Sequence, residues 1–327
     1  MKKLFGTDGV RGIAGKYPVT AEVALRLGKA VAIFFKNKEK RSKIIIGKDP
    51  RLSGYMLENA VTSGILSVGV DVLLVGPMPT PAISHLTKSF AADAGIMISA
   101  SHNPAEENGI KFFSNEGLKL SDETEKEIEK IFFSEKVNEE QIHGKKIGKA
   151  YRIDDAKGRY IEFAKSSIQN TSLKGLKIVL DCANGAAYNI APLILSELGA
   201  EVIVSNDKPD GFNINLNCGA LHPEVIRKAV LENKAHAGVS LDGDADRVIM
   251  VDEKGEVVNG DAIMAIAGLN LLEKNELAKK TVVATVYSNL GLDETIKNAG
   301  GRVVRVDNGD RYVIEEMLKK GYKFGGE

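Results

Sequence analysis

Short apolar runs alternate along the chain with amphipathic stretches of about ten to fifteen residues, a spacing that predicts strands alternating with helices. Three segments repeat this pattern with a glycine before the second strand. The first predicts a strand at 43–47, a helix at 53–67, Gly69 and a strand at 70–75. In the second, a strand at 177–181 leads to a helix at 186–198, Gly199 and a strand at 201–204. The third has a strand at 281–286, a helix at 290–298, Gly300 and a strand at 302–306. Further apolar runs at 94–98, 237–241 and 248–251 read as buried strands, and 153–168 and 311–320 read as helices. Strand-helix-strand units of this kind build mixed, largely parallel sheets between helices, with ligands gathering at strand ends. The expected fold class is therefore α/β, with three similar α/β domains. The polar stretch 135–149 and the turn 252–255 set their boundaries at 1–150, 151–252 and 253–327. After the helix at 311–320, one more strand begins and the chain stops, so the third domain reads as truncated and the chain as a fragment.

A length of 327 residues fits two or three domains. Lysine plus arginine and aspartate plus glutamate both number 44, so no global field attracts nucleic acid or an anionic membrane. Charge chemistry must then be local. Lys2 and Lys3 are not followed by an apolar leader, and no run reaches membrane-spanning length, which leads to the expectation of a cytoplasmic protein. Cys182 and Cys218 lack metal-ligand spacing and read as small core or loop residues.

The most telling local chemistry is Asp242-Gly-Asp-Ala-Asp-Arg247, between the apolar runs 237–241 and 248–251. On an extended chain Asp242, Asp244 and Asp246 would point to one side, and their mutual repulsion calls for a multivalent cation. Oxygen-only ligands favour Mg²⁺ or Ca²⁺ over zinc. A helix-loop-helix calcium site would also place Asp at its first, third and fifth positions and Glu at its twelfth, which Glu253 matches. Its sixth position should be glycine and is Arg247, and a strand follows where a helix should. A merely solvated acidic turn is disfavoured by the apolar runs on both sides.

A second turn, Ser99-Ala-Ser-His-Asn-Pro104, follows the strand at 94–98 and exposes Ser101 as a candidate nucleophile, with backbone N–H groups able to hold phosphate oxygens. A structural turn without chemistry is the competing reading. A hydrolase with His102 as base is a poor fit, since adjacent side chains diverge and no Gly-x-Ser-x-Gly elbow is present. Arg11, Lys111 and Arg247 are candidate cations that would offset a phosphorylated Ser101 beside three carboxylates.

Phe5-Gly-Thr-Asp-Gly-Val-Arg-Gly12, Ile98-Ser-Ala-Ser-His-Asn-Pro104 with Asn108-Gly-Ile-Lys-Phe-Phe113, the acidic motif and Gly325-Gly-Glu327 resemble the α-D-phosphohexomutases in order and spacing. The stretches 285–291 and 309–313 look most like the subgroup acting on glucosamine phosphates. Ala220-Leu-His-Pro223 leans toward the subgroup acting on mannose and glucose phosphates, which stays open as a rival. The resemblance implies four domains, the first two complete here, most of the third present and the fourth absent, with impaired binding of sugar phosphate. By the same resemblance, Ser101 carries a phosphoryl group and Mg²⁺ joins it to Asp242, Asp244 and Asp246. Arg247 then stabilises transferred charge, Arg11 binds phosphate, His102 positions, and Glu327 contacts the sugar. Lys111 is implied as general acid/base or as a guide for the acceptor hydroxyl, the base role requiring a depressed pKa. The implied reaction interconverts the 6- and 1-phosphates of a hexosamine through a 1,6-bisphosphate, in cell-wall precursor synthesis, and the expected partners are a hexosamine phosphate and, in a homodimer, a second copy of the chain. A phosphatase working through the same serine, and a calcium-binding module, remain as other classes. Ala245, where the subgroup usually has glycine, is expected to need no left-handed backbone.

Overall fold

The computed structural model describes residues 4–6, 8–37, 39–139, 142–169 and 171–327. It divides into two compact units, Met1–Val248 with Glu253–Gly255, and Ile249–Asp252 with Glu256–Glu327.

In the first unit, β1 (Val10–Ile13), α1 (Ala21–Phe35), β2 (Lys43–Lys48), α2 (Leu52–Ser67), β3 (Asp71–Pro77), α3 (Thr80–Ser89), β4 (Ala94–Ile98) and β5 (Glu107–Ser114) come first. They are followed by α4 (Asp122–Phe133), α5 (Lys136–Glu139) and β6 (Ala150–Arg152). The six strands form one sheet in the order β1-β5-β4-β2-β3-β6. Strands β4, β2, β3 and β6 run parallel, and β5 and β1 are added antiparallel. Side chains two apart share a face, so the central strands feed two cores. Ile44, Ile46, Ile96, Ile98 and Phe112 join one apolar cluster with Leu27, Val31, Leu57 and Ile65 of α1 and α2. Ile45, Met97 and Phe113 point the other way, into a cluster with Ile83 and Leu86 of α3. Strands buried on both faces explain why these segments read as unbroken apolar runs rather than alternating ones.

The same unit continues with α6 (Ala156–Ser166), β7 (Lys177–Asp181), α7 (Ala191–Glu197), β8 (Glu201–Ser205), α8 (Pro223–Asn233) and β9 (Ala237–Leu241). Strand β7 pairs in parallel with β8 on one side and β9 on the other. The helix expected at 186–198 is shorter. Residues 185–190 instead form successive tight turns, with the Tyr188 N–H donating to the Gly185 carbonyl at 3.2 Å and the Ile190 N–H to the Ala187 carbonyl at 3.0 Å, and α7 starts only at Ala191, with Pro192 in its first turn. Ala186 and Ile190 from the intervening turns pack into the α3-side cluster.

The second unit holds β10 (Val248–Asp252, shared at its first residue), β11 (Val257–Val258), α9 (Gly260–Glu273), β12 (Thr281–Thr285), α10 (Leu290–Asn298), β13 (Arg302–Val306), α11 (Asp310–Lys320) and β14 (Phe324–Gly326). The Asn259 side chain caps α9 by accepting from the Ala262 N–H at 2.9 Å. Strand β12 lies between β13 and β14, all parallel. Val282, Ala284, Leu292, Ile296 and Met264 form its core. Both cysteines are free and buried, and burial pushes each thiol up to about 12, as expected of core residues. Among the described residues, no helix is long and apolar enough to cross a membrane.

Candidate active site

The site forms within the first unit, at the ends of β4 and β9. After Ile98, the chain turns sharply, and Ser101 takes a left-handed φ of 54°. A serine there is strained by about 1 kcal/mol or more, so its surroundings must hold it. They do so through several groups. Its N–H donates to Ser99 Oγ at 2.9 Å, and Ser99 Oγ donates to Asp49 Oδ2 at 2.7 Å. The Ser101 carbonyl accepts from Arg51 Nη2 and Asn215 Nδ2, both at 3.0 Å. Arg51 is fully buried, paired with Asp49 at 2.9 Å, and also donates to the carbonyls of Asn103, Pro104 and Glu107. One guanidinium with five donors thus gathers the whole serine turn.

The acidic motif follows β9 as a turn and not as an extended strand. The Ala245 N–H donates to the Asp242 carbonyl at 3.0 Å, and Ala245 has φ 55°. Two sequence expectations are corrected here. The carboxylates converge because the backbone folds back on itself, and Ala245 does occupy the left-handed conformation that glycine would adopt without a Cβ penalty. Next to it, Gly243 lies against the serine turn so closely that a Cβ would meet the Ser101 carbonyl oxygen at 2.5 Å and Asn215 Nδ2 at 2.7 Å. Only glycine fits that position.

Across this contact, Ser101 Oγ donates to Asp242 Oδ2 at 2.7 Å, joining residues 141 positions apart. Asp242, Asp244 and Asp246 each offer an oxygen within 4.8 Å of the others. Asp242 and Asp244 are buried, while Asp246 sits at the rim with its side chain 24% exposed. Burial, then repulsion from Asp244 and Asp246, pushes Asp242 up to about 7. Burial also pushes Asp246 upward, reinforced by Asp244. Burial alone would raise Asp244 too, but the Lys111 ammonium and hydrogen bonds from Lys111 and Thr80 outweigh it and keep the carboxyl ionised. One Asp244 oxygen, Oδ1, is buried with no hydrogen-bond partner. Converging carboxylates that repel one another, one of them with a buried free oxygen, fit a hard divalent cation.

The expected cations take up distinct positions. Lys111, on β5 opposite Met97 of β4, is buried and reaches Asp244 Oδ2 at 2.7 Å, with Asp246 and Asp8 each at 3.4 Å. Burial alone would lower its pKa, but attraction to Asp244, Asp246 and Asp8 outweighs this and holds it well above the ordinary lysine range. The depressed pKa that a general base requires is therefore not found, and Lys111 is a fixed ammonium. Arg11 on β1 is tied to Asp8 through both its Nη2 and its Nε. Arg247 is exposed, and its Nη1 donates to His102 Nδ1 at 2.7 Å. Partial burial and then the Arg247 charge lower the His102 pKa, so the ring is neutral with Nδ1 accepting. His102 Nδ1 lies 3.5 Å from Ser101 Oγ. Glu327 follows β14 in the second unit and is exposed.

Four residues of the site were not singled out from sequence. Asp8 bridges Arg11, Lys111 and Lys119. Thr80 donates to Asp244, and Arg51 and Asn215 hold the serine turn. Asp8 lies inside the motif that contains Arg11, and Asp49-Pro-Arg51 directly follows a strand, so both had a positional signal. Thr80 and Asn215 had none beyond being ordinary loop and helix-start residues.

A sheet-end serine hydrogen-bonded to one of three converging carboxylates, with cations beside them, fits a phosphoryl-transfer centre on an α/β scaffold. The chain belongs to the phosphoglucomutase/phosphomannomutase family, whose α/β/α domains I, II and III match residues 2–139, 158–255 and 259–327. Among its relatives is a phosphoglucosamine mutase from Geobacter sp. (strain M21), 61% identical over all of this chain and 72% of its own length. Another, from Citrifermentans bemidjiense, is 60% identical with the same coverage. A solved phosphoglucomutase/phosphomannomutase family protein from Burkholderia thailandensis superposes with a TM-score of 0.85 at 25% identity, over 99% of this chain and 70% of that one.

Proposed function

We propose that the chain is a phosphohexomutase acting on glucosamine phosphates, interconverting the 6- and 1-phosphates through a phosphoserine at Ser101 and a 1,6-bisphosphate. The observation that carries this reading is the 2.7 Å bond from Ser101 Oγ to Asp242 Oδ2 inside the acidic trio. Relatives of about 60% identity over the whole chain support the glucosamine preference.

Asp242, Asp244 and Asp246 would hold Mg²⁺ together with an oxygen on Ser101. When bound, the ion offsets carboxylate and phosphoryl charge. Ser101 presents its phosphoryl group in line with the sugar, on a turn that Arg51 and Asn215 keep rigid. The free hydroxyl of glucosamine 6-phosphate forms the new P–O bond, the bond to Ser101 Oγ breaks, and the hydroxyl proton ends on Oγ. After the bisphosphate reorients, its other phosphoryl returns to Ser101. Lys111 and Arg247 hold positive charge against the transferring oxygens, and Arg11 binds phosphate. His102, accepting from Arg247, fixes that guanidinium next to the serine. The reaction belongs to cytoplasmic amino-sugar metabolism.

The test is ³¹P NMR of the chain with Mg²⁺ and glucosamine 1,6-bisphosphate. Both monophosphates should appear, with little inorganic phosphate, faster than from glucose 1,6-bisphosphate and not at all with Ser101→Ala. Inorganic phosphate as the main product would favour a phosphatase, and equal rates on both sugars would remove the glucosamine assignment.

A further inference from the structure

The two oxygens of Asp244 have different company. Oδ2 accepts from Lys111 Nζ at 2.7 Å and from Thr80 Oγ1 at 2.5 Å. Oδ1 is buried and has no partner. Thr80 holds the backbone of the same residue as well, its N–H donating to the Asp244 carbonyl at 2.8 Å. It is the first residue of α3, buried, and set between Pro79 and Pro81. The position before it is a proline without a side-chain cap, and the Thr80 hydroxyl is directed to Asp244 and not to its own helix. With Pro79 fixing one backbone dihedral and Asp244 taking both Thr80 donors, neither group has freedom to turn.

We propose that Thr80 is a positioning residue for the cation site: together with Lys111 it occupies Asp244 Oδ2, leaving Oδ1 as the single oxygen available to a metal. This rests on the metal reading given above. It explains why a threonine is buried against a carboxylate that already has an ammonium partner. A carboxylate bound through one defined oxygen suits Mg²⁺, which demands a near-ideal octahedron. Without the Thr80 donor, Asp244 can rotate and offer either oxygen, so that each bound geometry must be selected from several.

The experiment is a Mn²⁺ titration of the 327-residue chain, followed by the EPR signal of the free ion, on wild type, Thr80→Val, Thr80→Ala and Thr80→Ser. Thermal melts of each variant run alongside, and Asp244→Asn serves as the control for the site itself. Loss of an outer hydrogen-bond partner typically weakens a metal site about 10- to 100-fold, and Thr80→Val and Thr80→Ala should both show this. Thr80→Ser, which keeps the hydroxyl, should bind close to wild type. Wild-type affinity in both Val and Ala variants overturns the inference, as does a serine variant as weak as valine, since the methyl and not the hydroxyl would then matter. If wild type binds no Mn²⁺, or Asp244→Asn binds it unchanged, the metal reading fails and takes this inference with it. Weakened binding by Thr80→Val with Asp244→Asn abolishing it supports both.

Discussion

Ala245 is the clearest instance of a residue whose role depends on its backbone. The acidic motif's residue types were legible because aspartates with such spacing have few other uses, but the left-handed φ of 55° at Ala245 was not, since alanine gives no signal for it. Replacing it with glycine removes the Cβ penalty while adding freedom to the unfolded chain. Ala245→Gly should therefore stabilise the fold by up to about 1 kcal/mol, read from urea midpoints at constant m-value. An unchanged or lower midpoint would mean the turn is relaxed. Asp8 carries a second prediction. Burial alone would raise its carboxyl, but Lys111, Lys119 and Arg11 together hold it well below the usual carboxylate range. A depressed folded-state pKa adds stability above the unfolded value near 3.8 and loses it as pH falls below. From pH 6 to pH 3, wild type should lose on the order of 1 kcal/mol more than Asp8→Asn. Equal losses would show that the three cations do not depend on Asp8.

At the scale of elements, the strands were readable because they are buried on both sides, leaving the apolar runs uninterrupted from 44 to 47 and from 94 to 98. The helix expected at 186 was not, because residues 185–190 form tight turns that bury Ala186 and Ile190, and the small and apolar residue types there read equally well as helix. The serine turn is the element on which function depends most, and its support comes from distant parts of the sequence. Arg51 at the start of α2 and Asn215 in the loop after β8 both take the Ser101 carbonyl. Their removal should differ in kind. Arg51→Ala strands a buried Asp49 carboxylate and should lower unfolding free energy by about 3–5 kcal/mol. Asn215→Ala loses neutral hydrogen bonds and should cost only about 1 kcal/mol, while slowing phosphoryl uptake at Ser101. A larger stability loss at Asn215 than at Arg51, in denaturant unfolding, would reverse the assignment of which group holds the turn.

For the whole molecule, two turns 141 positions apart meet at 2.7 Å, and the chemistry of each is incomplete without the other. Residue types at the two turns made the pairing readable, since a nucleophile with cations and a trio of closely spaced acids answer each other's charge. The supporting contacts of Arg51, Asn215 and Thr80 were not readable, because ordinary residue types acquire their roles only from the three-dimensional arrangement. The chain matches three domains of its family and spans 72% of the length of its 61% identical relative. The central claim is that Ser101 accepts a phosphoryl group with the aid of the acidic trio. Intact mass spectrometry after incubation with a hexose 1,6-bisphosphate and Mg²⁺, followed by peptide mapping, tests it most directly. Wild type should gain one phosphoryl group on Ser101, and folded Asp242→Asn should gain it far more slowly; label on another residue, or equal uptake by the variant, would contradict the account.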